Sequence, residues 1–316
     1  MAAVQRGEYR RVTVFAPEDP DLKVPLAPGG SHRDRPTEAY RARRDYSIHD
    51  PEAGATYHAS YTKLPFMEDD NYVNPRHRHS FEQVRFKVHG PGPKYGRTLI
   101  DAGWLGYFPE GVYYGPTDPV KPENKDEWSE HITVQFPGPS GSPFHSRAQT
   151  RIGTQRVREA GGAFKDGLCI WPDGKKQDAH EAVMEALYGK KMEFPPPVFT
   201  EQVWFNTNNV PWRPAPIPGV SVKSLGYFHK RGPAIQLIRL DPGASTQPGK
   251  TGAFMIRYVY EGEVDYGGKL CRAVTNMYYP PDTPYEGLTT RTGATILSIE
   301  LQAQLPGSEP PLPFRI

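Results

Sequence analysis

Two histidines one residue apart, His77 and His79, stand in the stretch Pro75-Arg-His-Arg-His-Ser-Phe-Glu-Gln-Val-Arg-Phe-Lys-Val-His-Gly90. Side chains alternate faces along a strand, so an unbroken strand here would turn His77, His79, Phe81, Gln83, Arg85 and Lys87 to one side. Two imidazoles aligned in this way can meet one metal ion from the wall of a barrel, where further strands complete the coordination shell. The alternative is a polar strand surface, because His and Arg are mostly found in contact with water. A second stretch, Tyr107-Phe-Pro-Glu-Gly-Val-Tyr-Tyr-Gly-Pro116, brings the phenols of Tyr113 and Tyr114.

The elements that must position these groups read as short strands between turns. From Thr56 to about Pro139 the expected strands are 57–61, 76–88, 97–99, 106–108 and 131–136, with turns at Gly90-Pro-Gly-Pro93 and Gly138-Pro-Ser-Gly141. In the last of them His131, Thr133 and Gln135 share one polar face, which either meets water or lines a polar cavity. Residues 145–200 break the pattern. There Asp178-Ala-His-Glu-Ala-Val-Met-Glu-Ala-Leu-Tyr-Gly189 reads as one helix, with Asp178 as N-cap, Glu181 as its capping-box partner, His180 exposed and Gly189 as the stop. Strands return at 220–228, 234–240, 253–260, 274–279 and 295–301, and the N-terminal arm holds one more, Arg11-Val-Thr-Val-Phe15.

Composition narrows the class. The 316 residues carry 35 prolines and 31 glycines beside 37% hydrophobic residues, which suits a folded, mostly β protein rather than a disordered or helical one. With 38 basic and 36 acidic residues the net charge is +2, so nothing points to nucleic acid as a partner. Cys169 and Cys271 are too far apart for a thiolate metal spacing, and two free thiols fit a reducing compartment. No apolar run reads as a secretory signal or a membrane span, so a cytoplasmic protein with no membrane partner is expected.

An internal repeat divides the chain. Arg85-Phe-Lys-Val-His-Gly90 aligns with Arg257-Tyr-Val-Tyr-Glu-Gly262 at an offset of 172 residues (257 − 85), and Tyr107-Phe-Pro109 aligns with Tyr279-Pro-Pro281 at the same offset. His77, with the histidine that follows it after one residue and the closing Gly90, together with Pro109 and Gly111, resembles the two motifs of the cupin superfamily, in its two-barrel bicupin form. The resemblance implies an all-β chain of two tandem antiparallel jelly-roll barrels joined by a short helical connector. The expected divisions are an arm at 1–45, an N-terminal barrel with the site at 46–142, a connector with one helix at 143–217, and a degenerate second barrel at 218–316.

The resemblance also implies one divalent metal on His77 and His79, with Gln83 in the family's glutamate position and Tyr114 in its third-histidine position. Gln83 binds a metal more weakly than a carboxylate does. The remaining donors are the amide oxygen of Gln83, the Tyr114 phenolate, His131 from the last strand, or Glu82 if a bulge reverses its parity. Fe(II) is favoured, with Mn, Ni, Zn or Cu as alternatives and a metal-free barrel as another. At the same offset the second copy carries Gly249, Thr251, Met255 and Glu286, which is no ligand set. Arg85 would anchor a small anionic substrate beside Tyr113 and Gln135, with Tyr114 and His131 in catalysis. The expected activity is a dioxygenase-type oxidoreductase. A lyase or isomerase using His and Tyr, and a ligand-binding or storage-like bicupin, are the alternatives. A homodimer is expected from the family and from uncovered strand edges.

Overall fold

A computed structural model describes residues 11–16, 42–50, 55–65, 76–92, 94–95, 97–118, 128–142, 144–145, 147–197, 199–228 and 232–301. Of the arm expected over 1–45, all but 11–16 and 42–45 lies outside the described residues, as do Pro75, Pro93 and residues 302–316. Among the described residues no helix is long and apolar enough to cross a membrane.

Antiparallel strands form two large sheets. The first runs Val203–Asn206, Trp104–Phe108, Glu82–His89, Trp128–Phe136, Ala55–Pro65, Ala42–Asp50 in spatial order. The second runs Thr13–Phe15, Asn276–Tyr279, Phe254–Tyr266, Ala294–Leu301, Ala234–Leu240, Val220–Tyr227, Arg213–Pro214. The N-terminal arm thus lends an edge strand to the far sheet, and the connector lends one to the near sheet. A three-stranded sheet of Lys94–Tyr95, Thr98–Leu99 and Thr117–Asp118 accompanies the first, and the pair Gly249–Lys250 with Pro284–Tyr285 accompanies the second.

Strand alternation decides what each face does. Along Glu82–His89, Val84 and Phe86 turn to one side with Leu105, Tyr107, Ile132 and Val134, and there they pack on Ile235, Leu237, Phe254 and Tyr258 of the second sheet. This shared apolar layer holds the two sheets back to back. The opposite faces differ sharply. The second barrel is filled by Val220, Ile238, Leu240, Met255, Val259, Val264, Met277 and Ile296. The first keeps Gln83, Arg85 and Lys87 opposite Gln135, Thr133 and His131. A polar interior is costly unless it is paired or used.

Three sequence expectations are corrected. The strand expected from residue 76 begins at Glu82, because residues 77–79 pair with the 109–114 turn instead of a sheet neighbour. The described residues of the connector carry two α-helices, not one: α1 spans Arg147–Glu159 and α2 spans Ala179–Tyr188. Gly153 interrupts the apolar pattern of α1, and a side chain there would meet the Val183 carbonyl oxygen at 2.3 Å, so the glycine is where the two helices touch. Finally, the repeat offset falls from 172 to 171 by the second motif. Gln83 lies opposite Phe108 as Met255 lies opposite Tyr279, and His77 bridges Tyr114 as Gly249 pairs with Tyr285. The connection is one residue shorter in the second copy, so the counterpart of Tyr114 is Tyr285, not Glu286.

Candidate functional site

Backbone hydrogen bonds fasten the two motifs together. His77 N donates to the Tyr114 carbonyl at 3.0 Å, Tyr114 N returns to His77 O at 2.9 Å, and Gly111 N donates to His79 O at 2.9 Å. Gly111 sits at φ 75°, a conformation that favours glycine, which explains the Pro-Glu-Gly turn. Side chains then meet. The Tyr114 hydroxyl lies 2.9 Å from His79 Nδ1. The ring centroids of His77 and His79 are 5.0 Å apart, and those of His77 and Tyr114 are 4.3 Å apart. Rings ligating one ion stand on the order of 5 Å apart, given metal–nitrogen bonds of about 2 Å, and these three rings are spaced on that scale. Burial pushes the Tyr114 phenol well above its ordinary range despite the nearby Arg85 cation, so it is a neutral hydroxyl as it stands.

Gln83 ties Tyr114 to the polar strand face through a side-chain hydrogen bond to its hydroxyl. Its amide contacts the Gln135 amide at 2.8 Å, and turned oxygen-first it accepts from Arg85 Nε at 2.7 Å and Nη2 at 3.1 Å. Arg85 also donates to the Tyr95 hydroxyl and lies over the Phe108 ring at 4.8 Å. Glu82 keeps the opposite parity: it faces the shared apolar layer and accepts from the Tyr107 hydroxyl at 2.8 Å. Among the described residues no three histidine, cysteine or carboxylate side chains gather to hold a metal, so an ion at the histidines depends on the phenol.

Arg85 joins the histidine end of the site to a cavity of about 50 Å³ lined by Arg85, Lys87, Tyr95, Ile100, His131 and Trp204. One water occupies about 30 Å³ of liquid, so this space takes the head of a small molecule. His77 and His79 do not line it. Lys87, expected on the same strand face as Arg85, lines the cavity with it. Its side chain is 3% exposed and donates to Ser129, and burial lowers its pKa to about 7 against the opposing pull of Asp101 and Glu130. Tyr113 lies outside the cavity, under the guanidiniums of Arg76 and Arg78, with its hydroxyl 3.4 Å from Glu181.

The connector presses on the histidines. Asp178 caps α2 as expected, accepting from His180 N at 2.8 Å and Glu181 N at 3.1 Å. Glu181 does not complete a capping box, because its carboxylate is taken by Arg78, the residue between the two histidines. That ion pair brings His180 to 5.1 Å from His79, ring to ring, and half buries it. The expectation of an exposed His180 is therefore corrected. Helical amphipathicity gave no sign of this contact, since it depends on where the helix lands.

Glu110 of the same turn yields a stability prediction. Its carboxyl is 3% exposed and accepts from Ser140, yet burial raises its pKa to about 7. A raised carboxyl pKa means the folded chain holds the proton more tightly, so stability falls as pH rises from about 4.5 through 7. Glu110→Gln is expected to be about 1–3 kcal/mol more stable than wild type at pH 8 and equal at pH 4, as urea denaturation at the two pH values will show.

No family model and no curated protein matches this sequence. Among solved structures, a Nostoc punctiforme protein provisionally described as a dioxygenase superposes with TM-score 0.56 at 15% identity, covering 97% of this chain and 88% of its own. Streptomyces albus HEPD, solved with its substrate 2-hydroxyethylphosphonate and Fe(II), superposes with TM-score 0.53 at 14% identity, covering 93% of this chain and 77% of its own. Identities this low carry the architecture alone. With two antiparallel barrels in tandem, each with an arginine strand facing its interior, the chain has the bicupin fold.

Proposed function

We propose that the N-terminal barrel is the active site of an enzyme acting on a small organic anion. The observation that carries this is the pair Arg85 and Lys87, two cationic residues side by side in one cavity, with no carboxylate bound to either among the described residues. The Arg85 guanidinium stays charged and offers a planar fork to a carboxylate or phosphonate head. Lys87, close to half-neutral at pH 7, takes or returns a proton at its Nζ. His131, paired opposite Lys87, borders the same space, and Ile100 and Trp204 give it apolar walls.

At the other end of Arg85, His77, His79 and Tyr114 would hold one divalent ion, with Fe(II) favoured. Bound there, the ion supplies Lewis-acid and one-electron chemistry, which makes a dioxygenase-type oxidoreductase the leading reading. The hydrogen bond between Tyr114 and His79 favours a second reading, a lyase or isomerase in which this pair and Lys87 exchange protons with the substrate. Iron-loaded protein incubated with a panel of small carboxylic acids separates the two. Oxygen uptake matched to loss of one acid is expected. Deuterium entering the acid without oxygen uptake selects the second reading, and neither result with any acid contradicts both.

A further inference from the structure

The second barrel, filled with apolar side chains, still encloses a cation. Arg257 is 1% exposed, and its Nε and Nη1 have no hydrogen-bond partner among the described residues. The guanidinium stands over the rings of Tyr279 and Tyr285, at 5.3 and 5.4 Å. It occupies the position of Arg85, which has the same relation to Phe108 and Tyr114. What differs is the company. Arg85 has Gln83 and Tyr95 as acceptors, whereas the Gln83 position here is Met255, an apolar residue. The interior carboxylate, Glu300, is engaged by Thr251 at 2.7 Å. Gly249, standing where the first barrel has His77, leaves room for the Tyr285 hydroxyl, which comes within 2.8 Å of where a side chain would begin.

A guanidinium held out of water with two idle donors is strongly unfavourable, and two aromatic faces offset only part of that cost. An anion restores the balance. We infer that Arg257, Tyr279 and Tyr285 form a second site, in the C-terminal barrel, for a small monovalent anion of halide, nitrate or formate size. Full burial among apolar neighbours restricts it to one or a few atoms. It does not depend on the chemistry proposed for the first barrel.

Thermal unfolding of the full chain tests this, with sodium bromide exchanged for sodium gluconate at constant ionic strength. A ligand that binds only the folded state raises its melting temperature. Wild type and Arg85→Gln are expected to gain about 2–4 °C in bromide, and Arg257→Met to gain nothing. An equal gain in all three proteins, or none in wild type, would overturn the site. Should Arg257→Met not fold, anomalous scattering from wild-type crystals grown in bromide decides. A peak within hydrogen-bonding distance of Arg257 Nε or Nη1 is expected, and its absence is equally fatal.

Discussion

Replacing Arg85 by glutamine is expected to weaken binding of a small carboxylate substrate by about 100-fold or more, while the protein stays folded. The loss follows from the charge: a bidentate, charge-assisted pair in a partly buried cavity is worth a few kcal/mol, and a neutral amide replaces at most one of its bonds. Folding should survive because Gln83 and Tyr95, which accept from Arg85 now, can be met by the amide of the new side chain. Calorimetric titration with the substrate gives the affinity, and urea denaturation gives the stability. Undiminished affinity would remove the anion from this cavity.

Lys87→Met is expected to lower turnover by about 100- to 10,000-fold, the usual worth of a positioned proton carrier, and to erase the pH limb near 7. Methionine fills the same volume, so packing is little disturbed. Stability should move the other way. The folded chain disfavours the ammonium, so wild type loses stability as pH falls from about 10.5 through 7 and keeps that deficit below. The variant has no such charge and should unfold at higher urea concentration than wild type at pH 6. A variant with a normal pH profile would show that Lys87 only packs.

Much of the fold was legible in the sequence for a physical reason: strand faces alternate, so Val84 and Phe86 against Arg85 and Lys87 announce one buried and one polar side. The caps of α2 were legible too, because Asp178 and Gly189 act within a turn of their own position. Longer-range effects were not. Strand parity fails at His77 and His79, where the chain leaves the sheet to join the 109–114 turn. α1 was hidden because Gly153 weakens its local signal and repays the weakness only in contact with Val183. The repeat gave Arg257 correctly but missed Tyr285, since a one-residue shortening is invisible without strand register. Lys87 and His180 share a lesson: the first gains its character from burial and the second from the Arg78–Glu181 ion pair, and neither is written in residue spacing.

A metal ion at this site would rest on two imidazoles and one phenol, without the carboxylate that usually helps to hold it. Elemental analysis of protein purified without chelators, wild type beside His77→Ala/His79→Ala, addresses it directly. The account predicts close to one divalent ion per wild-type chain and nearly none in the variant. Equal metal in the two proteins, or a fully active wild type with no metal, would contradict it.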